Sequence, residues 1–410
     1  MNGSSEPSAG AAGAAKPSLR LSWVIVLRGF AALWVYAFHL WVLSGGKQLP
    51  LAFAGDLAGP VQALLAAGYQ GIDLFFVLSG FVIAWPYVET RRQRLDRHAI
   101  ADFYQRRFFR IAPIYYVSIV AVVVLVHLHW LAGTRSIAAI LAHFLFVHTL
   151  NPEWTLSLLG VYWTLPTEMH FYLLFPLLLR VLDVERPLRF AAACIALAIA
   201  YRWFSVWSTF HAGIALSWTA AYLPGRIDQF ACGMAAACLL ARGDMPVLPR
   251  GGVVAVGLLV VAGLVLIGRH DDGLAWWFRI GPSLAAVLIA GFIVVLGRHL
   301  QARGLAATAP RGAVARAATR LGEASLGIYL WHAVFLGLAA EIARRLGSSA
   351  DVRVMLLFAS VPVTLAVSLW TYRLVEAPWV AFSRSASWRD KVARLVTRWW
   401  PRREAAGSAR

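Results

Sequence analysis

The chain has 410 residues, 60% hydrophobic and 14% charged, with a formal net charge of +18 and a mean hydropathy of +0.66. Soluble domains are nearer half apolar and a quarter charged, and surface-to-volume scaling limits what one soluble core can hide. These proportions therefore exclude a soluble globular fold and imply an all-α, polytopic membrane helix bundle. The arginines fall mostly in short loops and at the C-terminus, which is the pattern of cytoplasmic loops between spans and argues against a nucleic-acid partner.

In chain order, residues 1–18 are rich in Gly, Ala, Ser and Pro and read as a disordered N-terminal tail without the features of a signal peptide. A single membrane domain is expected over 19–380. Apolar runs occur near 21–43, 70–88, 112–131, 136–150, 163–182, 188–206, 219–240, 252–269, 276–297, 322–343 and 353–375. The linker holding Arg91, Arg92, Arg94, Arg97, Arg106, Arg107 and Arg110 should be cytoplasmic, and so should the basic tail over 381–410. Eight spans between them satisfy both; nine do not. The run at 136–150 is short and contains His143 and His148, so it is set aside as re-entrant or interfacial. About ten spans remain, with both termini cytoplasmic. Arg344, Arg345 and Arg353 then violate the charge rule mildly. In the tail, Trp388, Val392, Leu395, Val396 and Trp399 recur at helical spacing, as in a helix lying on an anionic leaflet; a disordered basic tail is the other reading. Cys194, Cys232 and Cys238 have neither zinc-site nor disulfide spacing and read as small buried hydrophobes. No metal site is expected.

Charged groups inside spans cost about 2.5–3.5 kcal/mol on insertion scales, so each calls for an explanation. Arg28 and His39 are eleven residues apart in the first span, which places both on one helix face at depths about 16 Å apart. In the second span, Asp73 sits near the outer end, where water can reach it. Ser79, beside Gly80, serves either helix packing or chemistry. Glu168 follows Trp163 and Pro166 and precedes Tyr172 by one turn, near the outer boundary; an interfacial carboxylate in water is the plain alternative. Arg226 opens another span with Asp228, and Tyr329, His332, Arg373 and Glu376 mark the last two. Each of these also reads as an interface anchor.

Together these motifs resemble the acyltransferase-3 family of integral membrane O-acyltransferases, from about residue 20 to residue 380. The resemblance is carried by Arg28-x10-His39, by Gly71-Ile72-Asp73-Leu74-Phe75-Phe76-Val77-Leu78-Ser79-Gly80-Phe81 and by Arg107-x-x-Arg110. It continues in Trp163-Thr164-Leu165-x-x-Glu168-x-x-Phe171-Tyr172, in Ser325-Leu326-Gly327-Ile328-Tyr329-Leu330-Trp331-His332 and in Tyr372-Arg373-Leu374-Val375-Glu376-Ala377-Pro378. Thr164 stands where the family usually has serine, and Ala377 where it often has arginine.

The resemblance implies a stand-alone form without a fused esterase-like domain, in a bacterial inner membrane. It also implies transfer of an acyl group, acetyl in the first instance, from acyl-CoA to a carbohydrate or glycolipid hydroxyl. Acyl-CoA is then a co-substrate rather than a bound cofactor. Arg107, Arg110 and Arg28 are expected to hold its anionic end. His39 is expected to act as general base, and Glu168 to orient His39 or bind the acceptor. Ser79 and Tyr329 are candidate oxyanion donors. A transporter or flippase for a glycolipid or acylated metabolite is the alternative, because intramembrane ionisable residues serve both. A structural membrane protein without chemistry is the third reading. Acceptor identity and oligomeric state are left open.

Overall fold

The computed structural model describes residues 21–46, 58–91, 95–211, 222–268, 275–305 and 312–385. The N-terminal tail and the Trp388–Trp399 pattern lie outside them. Among the described residues all regular structure is helical, and the buried apolar residues form one large cluster and a smaller one around Tyr36, Leu336 and Leu357. Eight helical segments among the described residues are long and apolar enough to cross a membrane. The all-α polytopic membrane bundle read from composition is the observed architecture.

The first helix, α1, spans Ser22–Leu43. A short α2, Ala58–Ala66, leads through a 3-10 turn into α3, Gly71–Glu89. Next comes α4, Arg97–His127, started by Asp96, whose carboxylate accepts from Ala99 N at 2.8 Å. Its 31 residues correct the expected span at 112–131. Arg106, Arg107 and Arg110 ride on a helix rather than in a loop, because the cap and a good helical sequence extend it outward. Helix α5, Ile137–Phe144, has eight residues, about 12 Å of rise, too short to cross a bilayer.

Thr164–Val181 forms α6, Pro187–His211 forms α7 and Ile227–Arg242 forms α8. Arg250–Gly268 is α9 and Ala275–Ala302 is α10. The expected span at 322–343 is divided: α11, Ala313–Glu323, turns at Ala324 into α12, Ser325–Arg345. Helix α13, Ala350–Thr371, widens into a π turn over Tyr372–Glu376 and ends as α14, Ala377–Ser383. Of the ten expected spans, α6 and α8 fall outside the set of eight. Helix α8 has only 16 residues, 13 of them buried, and α6 carries Glu168, His170 and Arg180.

Two features hold the bundle centre. Helices α3 and α8 cross at backbone contact. A Cβ on Gly80 would lie 2.1 Å from Phe230 O, and one on Gly233 would lie 2.0 Å from Val77 O. Small residues at such crossings let dispersion between backbones replace the missing hydrophobic drive in lipid. The second feature is Arg202 of α7, wholly buried. It donates to Asp228 Oδ2 at 3.0 Å, Ser283 Oγ at 2.6 Å, Gly225 O at 2.8 Å and Arg279 O at 2.8 Å. This network ties α7, α8 and α10 together. The three cysteines are buried and free.

Two predictions follow from the packing. Gly233→Leu has no room without parting α3 from α8, and should destabilise by about 1–3 kcal/mol or more; thermal unfolding in detergent reads it. His143 and His148 stack at 3.8 Å, both fully buried. Burial pushes His143 down to about 4 and His148 lower still. Their contribution is therefore full above the unfolded value of about 6.5 and declines as pH falls below it. The unfolding temperature should drop between about pH 7 and pH 5, and drop less in His148→Phe.

Candidate active site

Two cavities enter the bundle from opposite ends of α1. The first, about 660 Å³, is lined by α1, α3, α4, α6 and the α13–α14 junction. Its charged lining is Arg28, Arg106, Arg107, Arg110 and Arg384 against Glu168 and Glu323. The second, about 500 Å³, is lined by His39, Asp73, Trp163, Arg226 and Tyr329 among apolar residues. Between them lies a neck of about 30 Å³ whose walls include Arg28, Phe75, Phe76, Glu168 and Tyr329. Arg28, Glu168 and Leu326 belong to both neck and basic cavity. Ile72 and Tyr329 belong to both neck and histidine cavity. The expectation that Arg28 and His39 share one face at different depths matches this layout.

In the histidine cavity, His39 Nδ1 lies 3.0 Å from Val35 O, one turn back. A carbonyl only accepts, so Nδ1 carries the proton and Nε2 keeps its lone pair. His332 repeats the pattern, with Nδ1 3.0 Å from Ile328 O. Its Nε2 is therefore also a lone pair, 3.3 Å from His39 Nδ1, where the two acceptors share one hydrogen. The rings sit 5.0 Å apart. His332 is fully buried, as are Tyr329 and Glu376, which corrects the reading of these three as interface anchors. Membrane-interface chemistry does not reach them because the first turns of α12 and the Glu376 side of the π turn face the bundle interior.

Asp73 is buried as well, contrary to the expectation of water at its position. Its Oδ1 accepts from Gln229 Nε2 at 2.6 Å and Arg226 Nη1 at 3.2 Å. The Arg226 guanidinium lies 5.4 Å from the Trp163 ring, so one ion pair and one aromatic face wall this cavity.

Glu168 is turned the other way. It accepts from Ser79 Oγ at 2.7 Å and from Tyr172 Oη at 2.5 Å. The one-turn spacing to Tyr172 is borne out. The contact with His39 is not: Glu168 faces the neck and the basic cavity, because α6 begins at Thr164 and carries residue 168 one turn inward. Neither proposed oxyanion donor has a free proton. The Ser79 hydroxyl is given to Glu168, and the Tyr329 hydroxyl donates to Val161 O at 2.7 Å and accepts from Thr164 Oγ1 at 3.0 Å. Thr164 thus uses the hydroxyl it shares with serine.

The arginines divide into free and engaged. Arg28 and Arg107 make no hydrogen bond among the described residues, and the Nε of each is buried without a partner. Arg28 sits 5.4 Å from the Phe75 ring, and Arg107 lies 5.6 Å and 6.0 Å from the Phe103 and Tyr172 rings. Arg110 is engaged: its Nη1 pairs with the fully buried Glu376. The π turn presents Glu376 there, an arrangement common at functional sites. Two partnerships escaped sequence reasoning. Arg202, an arginine deep in the run at 188–206, carried the same signal as Arg28. The His39–His332 contact joins residues 293 positions apart and had no local signal.

Fold and site define a membrane-embedded enzyme whose polar interior opens at both ends of the bundle. The chain belongs to the acyltransferase-3 family: the model described as "Acyltransferase domain" matches residues 21–373. It is an acyltransferase. Acyltransferase MdmB of Streptomyces mycarofaciens is 31% identical over 333 residues, covering 77% of this chain and 78% of that protein. Exopolysaccharide production protein ExoZ of Rhizobium meliloti is 28% identical, covering 76% and 89%. Peptidoglycan O-acetyltransferase OatA of Listeria monocytogenes is 25% identical, covering 76% of this chain and 51% of its own length. No solved structure matches.

Removing Arg110 alone strands Glu376 in the bundle. Arg110→Ala should cost about 3–5 kcal/mol, while Arg110→Met with Glu376→Leu should be closer to neutral. Thermal unfolding of both variants checks the difference.

Proposed function

We propose that the protein moves an acyl group, acetyl in the simplest case, from acyl-CoA to a hydroxyl of a carbohydrate or glycosylated acceptor. One observation carries the reading: a basic cavity and a histidine-lined cavity meet at a narrow neck inside the bundle. The names of the relatives, which include a peptidoglycan O-acetyltransferase and an exopolysaccharide production protein, support a glycan acceptor. Counting α6 and α8 with the eight longer helices gives ten spans, which puts both termini on one side. The arginines between α3 and α4 support reading that side as the cytoplasmic one, and the bacterial relatives support an inner membrane. The basic cavity then faces the compartment that supplies acyl-CoA.

The parts divide accordingly. Arg107 and Arg28, whose forks are free, take the anionic end of the donor, with Arg106 and Arg384 at the rim. Arg110 holds Glu376 and contributes its remaining donors. The thin acyl-pantetheine arm runs along α1 through the neck, which has to widen around it, toward His39. His39 Nε2 takes the proton of the acceptor hydroxyl as its oxygen attacks the thioester carbonyl. The carbon–sulfur bond then breaks, and the thiolate recovers the proton from the imidazolium. His332 and the Val35 carbonyl hold the required tautomer. Trp163, Asp73 and Arg226 wall the acceptor's approach, while Ser79 and Tyr172 fix Glu168 at the neck.

Purified protein given labelled acetyl-CoA and glycan acceptors tests the reading. His39→Ala should lower transfer by about 10²–10⁴-fold with unchanged coenzyme A binding. Arg107→Ala should raise the KM for acetyl-CoA about tenfold with kcat nearly kept. Transfer that survives in His39→Ala would remove the base from that residue.

A further inference from the structure

A third cavity, about 670 Å³, adjoins the histidine cavity and shares Leu156 and Gly160 with it. Its charged lining is Glu341, Arg344 and Arg353, and Trp130 forms an aromatic wall. Helix α12 runs from Leu326 at the basic cavity to Arg344 here, a rise of about 27 Å. The groove therefore lies at the end of the bundle remote from Arg107. Arginines at this end are the ones that break the charge rule.

Two of the three basic residues at this turn have local reasons to be there. Arg344 and Arg345 close α12, where the helix dipole favours cations. Both clamp Glu341: Arg344 at 2.7 Å and 2.6 Å, and Arg345 at 2.7 Å. Arg345 also lies 4.0 Å from the Trp130 ring. Arg353 has no such reason. It is the fourth residue of α13, at the positive end of a helix, where a cation is disfavoured. It is exposed, and its side chain makes no hydrogen bond or ion pair among the described residues. A free cation at the wrong pole of a helix, beside an opening of the reaction cavity, is suited to an anion brought from outside the protein.

We infer that this groove binds an anionic saccharide acceptor. The sugar rests against Trp130, and its carboxylate or phosphate meets Arg353 and Arg344. A neighbouring hydroxyl passes Leu156 and Gly160 to reach His39. Glu341 keeps the Arg344 fork oriented and limits the groove's net charge. The inference rests on the acyltransferase reading above and names the charge of its acceptor.

Calorimetry on the full-length protein in nanodiscs tests it with three probes of one length. These are a glucuronate-containing tetrasaccharide, its carboxyl-reduced counterpart, and the same neutral tetrasaccharide bearing a terminal phosphate. At least one anionic probe should bind about tenfold more tightly than the neutral one, as expected of one or two charge-assisted contacts. Whichever anion binds better identifies the source of the charge. Arg353→Ala should abolish the difference, Arg353→Lys should keep part of it, and added salt should weaken it. The KM for acetyl-CoA should not move. Equal affinity for all three probes, no binding of either anionic probe, or a preference that survives Arg353→Ala overturns the inference. Acetyl transfer and its dependence on His39 are read separately, so failure here stays distinct from failure of the acyltransferase reading.

Discussion

Charge inside a membrane bundle has to be matched where it stands, since neither lipid nor a wide water column is there to solvate it. The interior of this protein is organised by that requirement. Arg202 is satisfied four times over, and Asp73 and Glu376 each hold an arginine. These networks fix α7, α8, α10 and the α13–α14 junction around the centre. The exceptions stand out against them. Arg28 and Arg107 line a cavity without a hydrogen-bonding partner among the described residues, and they are the groups left over for a ligand.

The same requirement shapes the histidine end. Two protonated imidazoles in contact would repel; here His332 Nε2 accepts the His39 Nδ1 hydrogen and so carries no proton of its own. Each Nδ1 is spent on a carbonyl one turn back within its own helix. The tautomer is thus a product of helix geometry: any histidine whose ring folds back onto residue i−4 presents Nε2 outward. What distinguishes His39 is that its outward nitrogen has a cavity before it, whereas His332 is sealed behind it.

Much of this was legible in the sequence because membrane proteins announce charge loudly. The bundle, the exclusion of 136–150 as a span and the common face of Arg28 and His39 all follow from hydropathy and the helical period. Side-chain partnerships were less legible. Glu168 was expected to orient His39 or bind the acceptor, and its rotation toward Ser79 depends on where α6 begins, a boundary that spacing alone does not set. The lengths of α4 and α8 were misjudged because a capped, charged first turn and a short fully buried helix both depart from the twenty-residue rule. The Asp73–Arg226 and Arg110–Glu376 pairs join residues more than a hundred positions apart, and no local pattern encodes such pairing.

The neck has a bearing on the cell as well as on the reaction. At about 30 Å³ it is far smaller than the cavities of about 660 and 500 Å³ on either side. Two hydrated vestibules joined by a wider passage would let protons and ions leak through every copy of the protein and dissipate the gradient across its membrane. Phenylalanine and tyrosine rings, with one carboxylate and one guanidinium at the edge, narrow the passage through which such a leak would have to run. On the reading proposed above, a neck this narrow would let a chemical group pass between compartments without opening a path for ions.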